Sequence, residues 1–228
     1  MRSILLLFML GTLGATLVHG QTVLGTTPVQ GQTAPGTTLA NGQTVGDLFK
    51  SMPTEFLPGL SEGNKTMLLV DTGHTAVPYP LGEIRKTIHT RDHLKIQTSE
   101  IGITELKLLP VSSDSVIICV INTVCGNACD SRVDFYTTGW VKIKDTVLLP
   151  KVSEEIFFDS SRKGLKNYKY AVSLSGIYPI SATFKENETD LLLTFNYEEQ
   201  LTREQIEEIT PFLKSDTVVL KWDGTMFR

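Results

Sequence analysis

Apolar positions change their rhythm along this chain, and each rhythm predicts a different element. From Ile4 to Val18 they run with no charge at all, after the basic start Met1-Arg2-Ser3 and before Gly20. Between Gln21 and Gly42 the rhythm disappears. At Val45, Leu48, Phe49 and Met52 the spacing becomes helical, with Thr44 as N-cap, Asp47 in the first turn and Pro53 as the stop. Further helix starts fall at Thr54 and Ser61. The stretch from Asp71 to Gly82, with its Gly and Pro residues, reads as a loop.

From about Lys86 the period falls to two. Leu94 and Ile96 alternate with polar residues, and Thr104 to Leu109 forms a second strand that Pro110 should close. After a turn at Ser112 to Asp114, the apolar run Val116 to Val120 suits a buried central strand. Arg132 to Tyr136 and Trp140 to Ile143 follow, completing a meander of four or five strands. Ser153 opens a short central helix, and Tyr170 to Leu174 reads as another strand. Tyr178 to Phe184 and Leu191 to Tyr197, joined by the charged turn Lys185 to Asp190, predict a hairpin. Thr202 and Gln205 make a capping box for a helix through Ile206 and Ile209, with Pro211 breaking its end. Thr217 to Trp222 is a last strand. The fold class is therefore α+β: a predominantly antiparallel sheet of meander and hairpins, with N-terminal, central and C-terminal helices.

The first twenty residues have the form of a secretory signal peptide, with cleavage expected before Gln21. The apolar run is short for a membrane span and no second one follows. No cysteine stands near the junction, so lipoprotein acylation is not expected. Residues 21–31 (QTVLGTTPVQG) and 32–42 (QTAPGTTLANG) are a duplicated repeat without charge or aromatic, too poor in apolar groups to order itself. The expected organisation is a signal peptide at 1–20, a disordered repeat linker at 21–42 and one α+β domain at 43–228. The protein should be exported to the periplasm or beyond and soluble, with no membrane span after signal removal.

The 228-residue chain is 41% hydrophobic and carries a formal charge of −4. Without a basic cluster, nucleic acid is not expected as a partner.

Candidate chemistry is sparse. Cys119 lies in the apolar run and reads as a core thiol. Cys125 and Cys129 flank a three-residue loop and could pair in an oxidising compartment. His89 and His93 flank Asp92, and with His74 could form a metal or hydrolytic cluster, but the extended pattern around them favours ordinary surface histidines. The acidic pairs Glu154/Glu155, Glu198/Glu199 and Glu207/Glu208 are adjacent, so their side chains diverge. No nucleophile elbow, zinc-protease, P-loop or dinucleotide motif is present. No catalytic residue, metal ligand or cofactor is therefore expected. Asn64 and Asn187 stand in tripeptides of glycosylation type. Tyr168 and Tyr170, read as one strand face, could line a groove.

The stretches DSRVDFYTTGW (Asp130 to Trp140), ELKLLP (Glu105 to Pro110), LPKVSEEIFF (Leu149 to Phe158) and LKWDGTMF (Leu220 to Phe227) resemble a family of exported Bacteroidales proteins catalogued as a domain of unknown function, number 3256. QTVGDLFKSMP, from Gln43, is similar to the mature start of those proteins, which makes the repeat at 21–42 an insertion. The resemblance implies compartment and domain extent and brings no catalytic residues. Three functions stay open. The first is a non-catalytic binding module for a lipid, glycan or peptide, which would show an apolar cavity on a sheet face. The second is a structural or interaction protein of the envelope, which would show an uncovered patch or sheet edge. The third is a hydrolase in which His74, His89, His93 and Asp92 converge.

Overall fold

The structure, a computed structural model, describes residues 42–228 except 71–74, 81 and 176–178. The stretch expected to be a signal peptide, nearly all of the repeat, and His74 lie outside the described residues.

Seven strands form one antiparallel sheet whose order follows the sequence: β1 (Ala76–Tyr79), β2 (Gly82–His89), β3 (His93–Gln97), β4 (Gly102–Ser112), β5 (Ser115–Cys125), β6 (Cys129–Tyr136) and β7 (Lys142–Ile143). A second, three-stranded sheet has the order β10-β9-β8, from β8 (Ile180–Phe184), β9 (Leu191–Phe195) and β10 (Thr217–Leu220). Mixed α+β with a mostly antiparallel sheet is thus the architecture.

The two faces of the large sheet are both covered. On one, Leu94, Ile96, Leu106, Leu108, Ile118 and Val120 pack against Val45, Leu48 and Phe49 of α1 (Val45–Lys50) and Leu68 of α2 (Glu62–Leu68). On the other, Leu109, Cys119, Ile121 and Phe135 meet Ala182, Phe184, Leu191 and Leu193 of the small sheet. Ile118 and Cys119 therefore serve different cores, which is why β5 reads as a continuous apolar run. A strand wet on one face would alternate. Thr44 caps α1 as its position suggested: its hydroxyl accepts from Asp47 N, and the Asp47 carboxylate accepts from Thr44 N.

Several elements differ from the sequence reading. The presumed loop contains β1, an edge strand that tolerates Pro78. β4 runs through Pro110 to Ser112, with a register shift just past the proline. Pro110 is accepted because β3 pairs only as far as Lys107, so no neighbour asks for an N–H there. Tyr170 to Leu174 is helical, within α4 (Tyr168–Ser175). There the buried Tyr168 and Ala171 are three apart, and packing at that spacing overrides the strand preference of Tyr and Val. The central helix at Ser153 is a 3-10 turn, Glu154–Phe157. A short helix α3 (Asp145–Leu148) follows β7, and α5 (Arg203–Ile209) carries its Thr202/Gln205 capping box before a 3-10 turn containing Pro211.

Candidate functional site

β8 is an edge strand, and the large sheet's side chains satisfy the N–H groups that edge exposes. Phe184 N donates to Glu105 Oε1 on β4 at 2.9 Å, Ala182 N to Ser131 Oγ on β6 at 2.9 Å, and Ile180 N to Asp130 Oδ1 at 3.2 Å. The three donors sit at alternate residues, as the pleat requires for one edge. β8 thereby crosses the face of the large sheet from β4 to β6.

Where it reaches β6, a cleft of about 510 Å³ opens. Its β6 side is Asp130, Ser131 and Val133. The small sheet contributes Ile180, Ala182 and Leu193. Leu149, Pro150, Lys151 and Val152, from the segment after α3, complete it. Most of these side chains are aliphatic; Asp130 and Lys151 are the charged groups, of opposite sign. A smaller cleft of about 330 Å³ lies beside the Cys129 end of β6, with Asn196, Tyr197, Glu198 and Asp216 on its lining.

A buried ionic cluster lies at the other end of β8. Glu105, 1% exposed, accepts three hydrogen bonds and has one ion-pair partner. Oε1 accepts from Phe184 N and, at 2.8 Å, from His93 Nε2; Oε2 accepts from the Thr183 hydroxyl at 2.8 Å and lies 3.2 Å from Lys95 Nζ. Burial raises the Glu105 pKa, but the His93 bond, the Lys95 charge and the Phe184 N–H together hold it below the usual carboxylate value. Beside it, the fully buried Lys107 ammonium is 2.8 Å from Asp92 Oδ2. Burial likewise raises Asp92, and the Lys107 contact and charge with the Thr90 hydroxyl bring it below its ordinary value. With its acceptor positions filled from within, Glu105 fastens β8 to β3 and β4.

The sequence candidates fall as follows. His93 is not a surface residue: it is wholly buried against Glu105 and the Phe184 ring. His89 is half-buried beside Gly46. Asp92 faces Lys107, and His74, the fourth group of the hydrolytic reading, lies outside the described residues. Among the described residues no three His, Cys, Asp or Glu side chains are grouped to hold a metal ion. Cys125 and Cys129 stand directly opposite in the β5–β6 register and form a disulfide. Cys119 is a buried free thiol, and burial with the nearby charges of Glu105 and Asp134 pushes its pKa well up, so it stays protonated and inert. Tyr168 and Tyr170 do not share a surface. On α4 two residues turn the side chain by about 200°, so Tyr168 is buried against Phe158 and Phe212 while Tyr170 is exposed.

Sequence reasoning missed Glu105, Lys107 and the cleft. A charged residue within an apolar strand, twice at alternate positions in β4, was the available signal for the first two. The cleft joins segments fifty residues apart and left no local trace.

The fold has a relative among solved structures, a domain of an uncharacterized protein from Porphyromonas gingivalis W83. It is 25% identical, with a TM-score of 0.71, over 82% of this chain and 98% of that one. Among curated proteins none matches. The model of the family described as protein of unknown function DUF3256 matches residues 38–227, nearly the whole of the folded part, and the chain belongs to that family.

Proposed function

We propose that this protein is a non-catalytic binding module that holds a ligand with an apolar body in the cleft between its two sheets. One observation carries this reading: the cleft measures about 510 Å³ and is walled mainly by aliphatic side chains. That size falls within the range of small-ligand sites. Four segments of chain line it, and the β8 N–H groups that donate to Asp130 and Ser131 hold β6 and β8 in place. A site built in advance spends little binding energy on ordering.

The non-catalytic part of the reading is supported by the filled acceptor positions of Glu105 and the buried, protonated thiol of Cys119. The short Cys125–Cys129 disulfide suits an oxidising compartment and supports export to the periplasm or cell surface. Among the described residues no helix is long and apolar enough to cross a membrane.

Native mass spectrometry of the protein purified without detergent from its own envelope tests the reading. A discrete adduct is expected, lost on denaturation and absent from V152W, whose indole would fill the cleft. A clean apo mass, or an adduct retained by a folded V152W, would overturn it.

A further inference from the structure

The cleft follows the only stretch of β6 that lacks a second strand among the described residues. β7 pairs with Phe135 and Tyr136 and no further; the chain then leaves as α3. At the opposite end, Asn196 Nδ2 donates to Cys129 O at 2.6 Å. Between these limits lie Ser131 and Val133, both half-buried and both on the cleft.

Their peptide groups point outward. Cys125 N donates to Ile101 O beyond the start of β4, so odd residues of β5 face β4 and even ones face β6. The register Val124↔Asp130 and Asn122↔Arg132 then engages the even residues of β6. The N–H and C=O of Ser131 and Val133 are left on the outer edge, as the Cys129 carbonyl already shows.

We propose that the cleft takes an extended peptide, added to β6 as a strand in line with β7. This rests on the reading that the cleft is a binding site and specifies its ligand. Main-chain pairing to Ser131 and Val133 supplies the register, and alternate side chains turn toward Ile180, Ala182 and Leu193. The stretch from Cys129 to Val133 is about 14 Å long, enough for about four peptide residues. Charge favours a peptide over an anionic amphiphile. Asp130 and Lys151 have opposite signs, which suits a neutral, dipolar backbone and gives no net attraction to a headgroup.

The test uses the full folded domain and a fluorescein-labelled, end-blocked heptapeptide of alternating threonine and valine. Two N-methylated forms are made, each blocking the amides of one strand edge. Saturable binding should be weakened at least about tenfold by methylation of one edge and left unchanged by methylation of the other. V133P, which removes an outward N–H that the fold does not use, should show the same loss, with folding checked by circular dichroism. If V133P does not fold, the methylated pair decides alone. Equal binding of both methylated forms overturns strand addition. So does peptide failure with dodecanoate still binding in a V152W-sensitive manner, which leaves the cleft as a site for something else. Failure of both probes overturns the peptide proposal and counts against the cleft reading too.

Discussion

Replacing Glu105 with glutamine should cost the fold about 3 kcal/mol. The carboxylate is 1% exposed, accepts from His93, Thr183 and Phe184, and is ion-paired with Lys95. Glutamine keeps the shape but turns one oxygen into an NH2 that faces two of those donors. Thr183 can rotate its hydroxyl to accept; Lys95, about a quarter exposed, can reach water. His93 and Phe184 would keep an oxygen, but a neutral one. Hydrogen bonds to a charged group contribute roughly 1.5–3 kcal/mol against about 1 for neutral pairs. Losing that difference at two bonds, together with the Lys95 pairing, gives about 3 kcal/mol, at the lower end of what breaking a buried ion pair costs. In urea, with a slope of about 2 kcal/mol/M, the midpoint should fall by roughly 1.5 M at unchanged slope. The Phe184 amide should exchange faster while the α1 core stays protected. A midpoint shift below about 0.3 M would refute the account of Glu105 as the fastening between the sheets.

The same carboxylate sets a pH response. Its folded pKa lies below the ordinary 4.5, so its stabilisation is whole above that value and lost as pH falls through the lower folded one. The difference in midpoint between the parent and E105Q should therefore shrink below about pH 4.5 in titrated urea melts, and a constant difference would contradict the assignment. K107M should change stability by less than about 1 kcal/mol, because Asp92 is one-third exposed and can be rehydrated once its buried partner is gone. T202A should cost about 1 kcal/mol by removing the α5 cap, read as a urea midpoint shift. In C125S/C129S, loss of a very short ring should cost about 2 kcal/mol in the chain-entropy description, measured against the oxidised parent.

The β4–β5–β6 meander, the α1 and α5 caps and the β8–β9 hairpin were legible because local rules set them. Thr44 and Thr202 announce their helices within four residues, and apolar alternation marks β3. α4 was misread because Tyr and Val at 168–172 favour a strand by propensity, and only the distant Phe158 and Phe212 explain why Tyr168 turns inward. Glu105 and His93 were obscure for the same reason. Nothing near either residue says that a strand 79 positions later will bring an N–H to that carboxylate. Tyr168 and Tyr170 failed as a pair once their period changed from two to 3.6.

The sequential order of the large sheet has a consequence for how the chain folds. Each strand from β1 to β7 pairs with the next one made, so the sheet can zip from its N-terminal end as the chain emerges, with little loop entropy to overcome. The small sheet cannot share in this. Phe184 finds Glu105 across 79 residues, and Trp222 Nε1 finds the Pro110 carbonyl across 112. Until those contacts close, Cys119, Ile121 and Phe135 present a bare apolar face on an otherwise finished sheet. Docking of the last fifty residues should then be the slower, aggregation-exposed step, and lesions at Glu105 should lower the yield of folded protein by prolonging it.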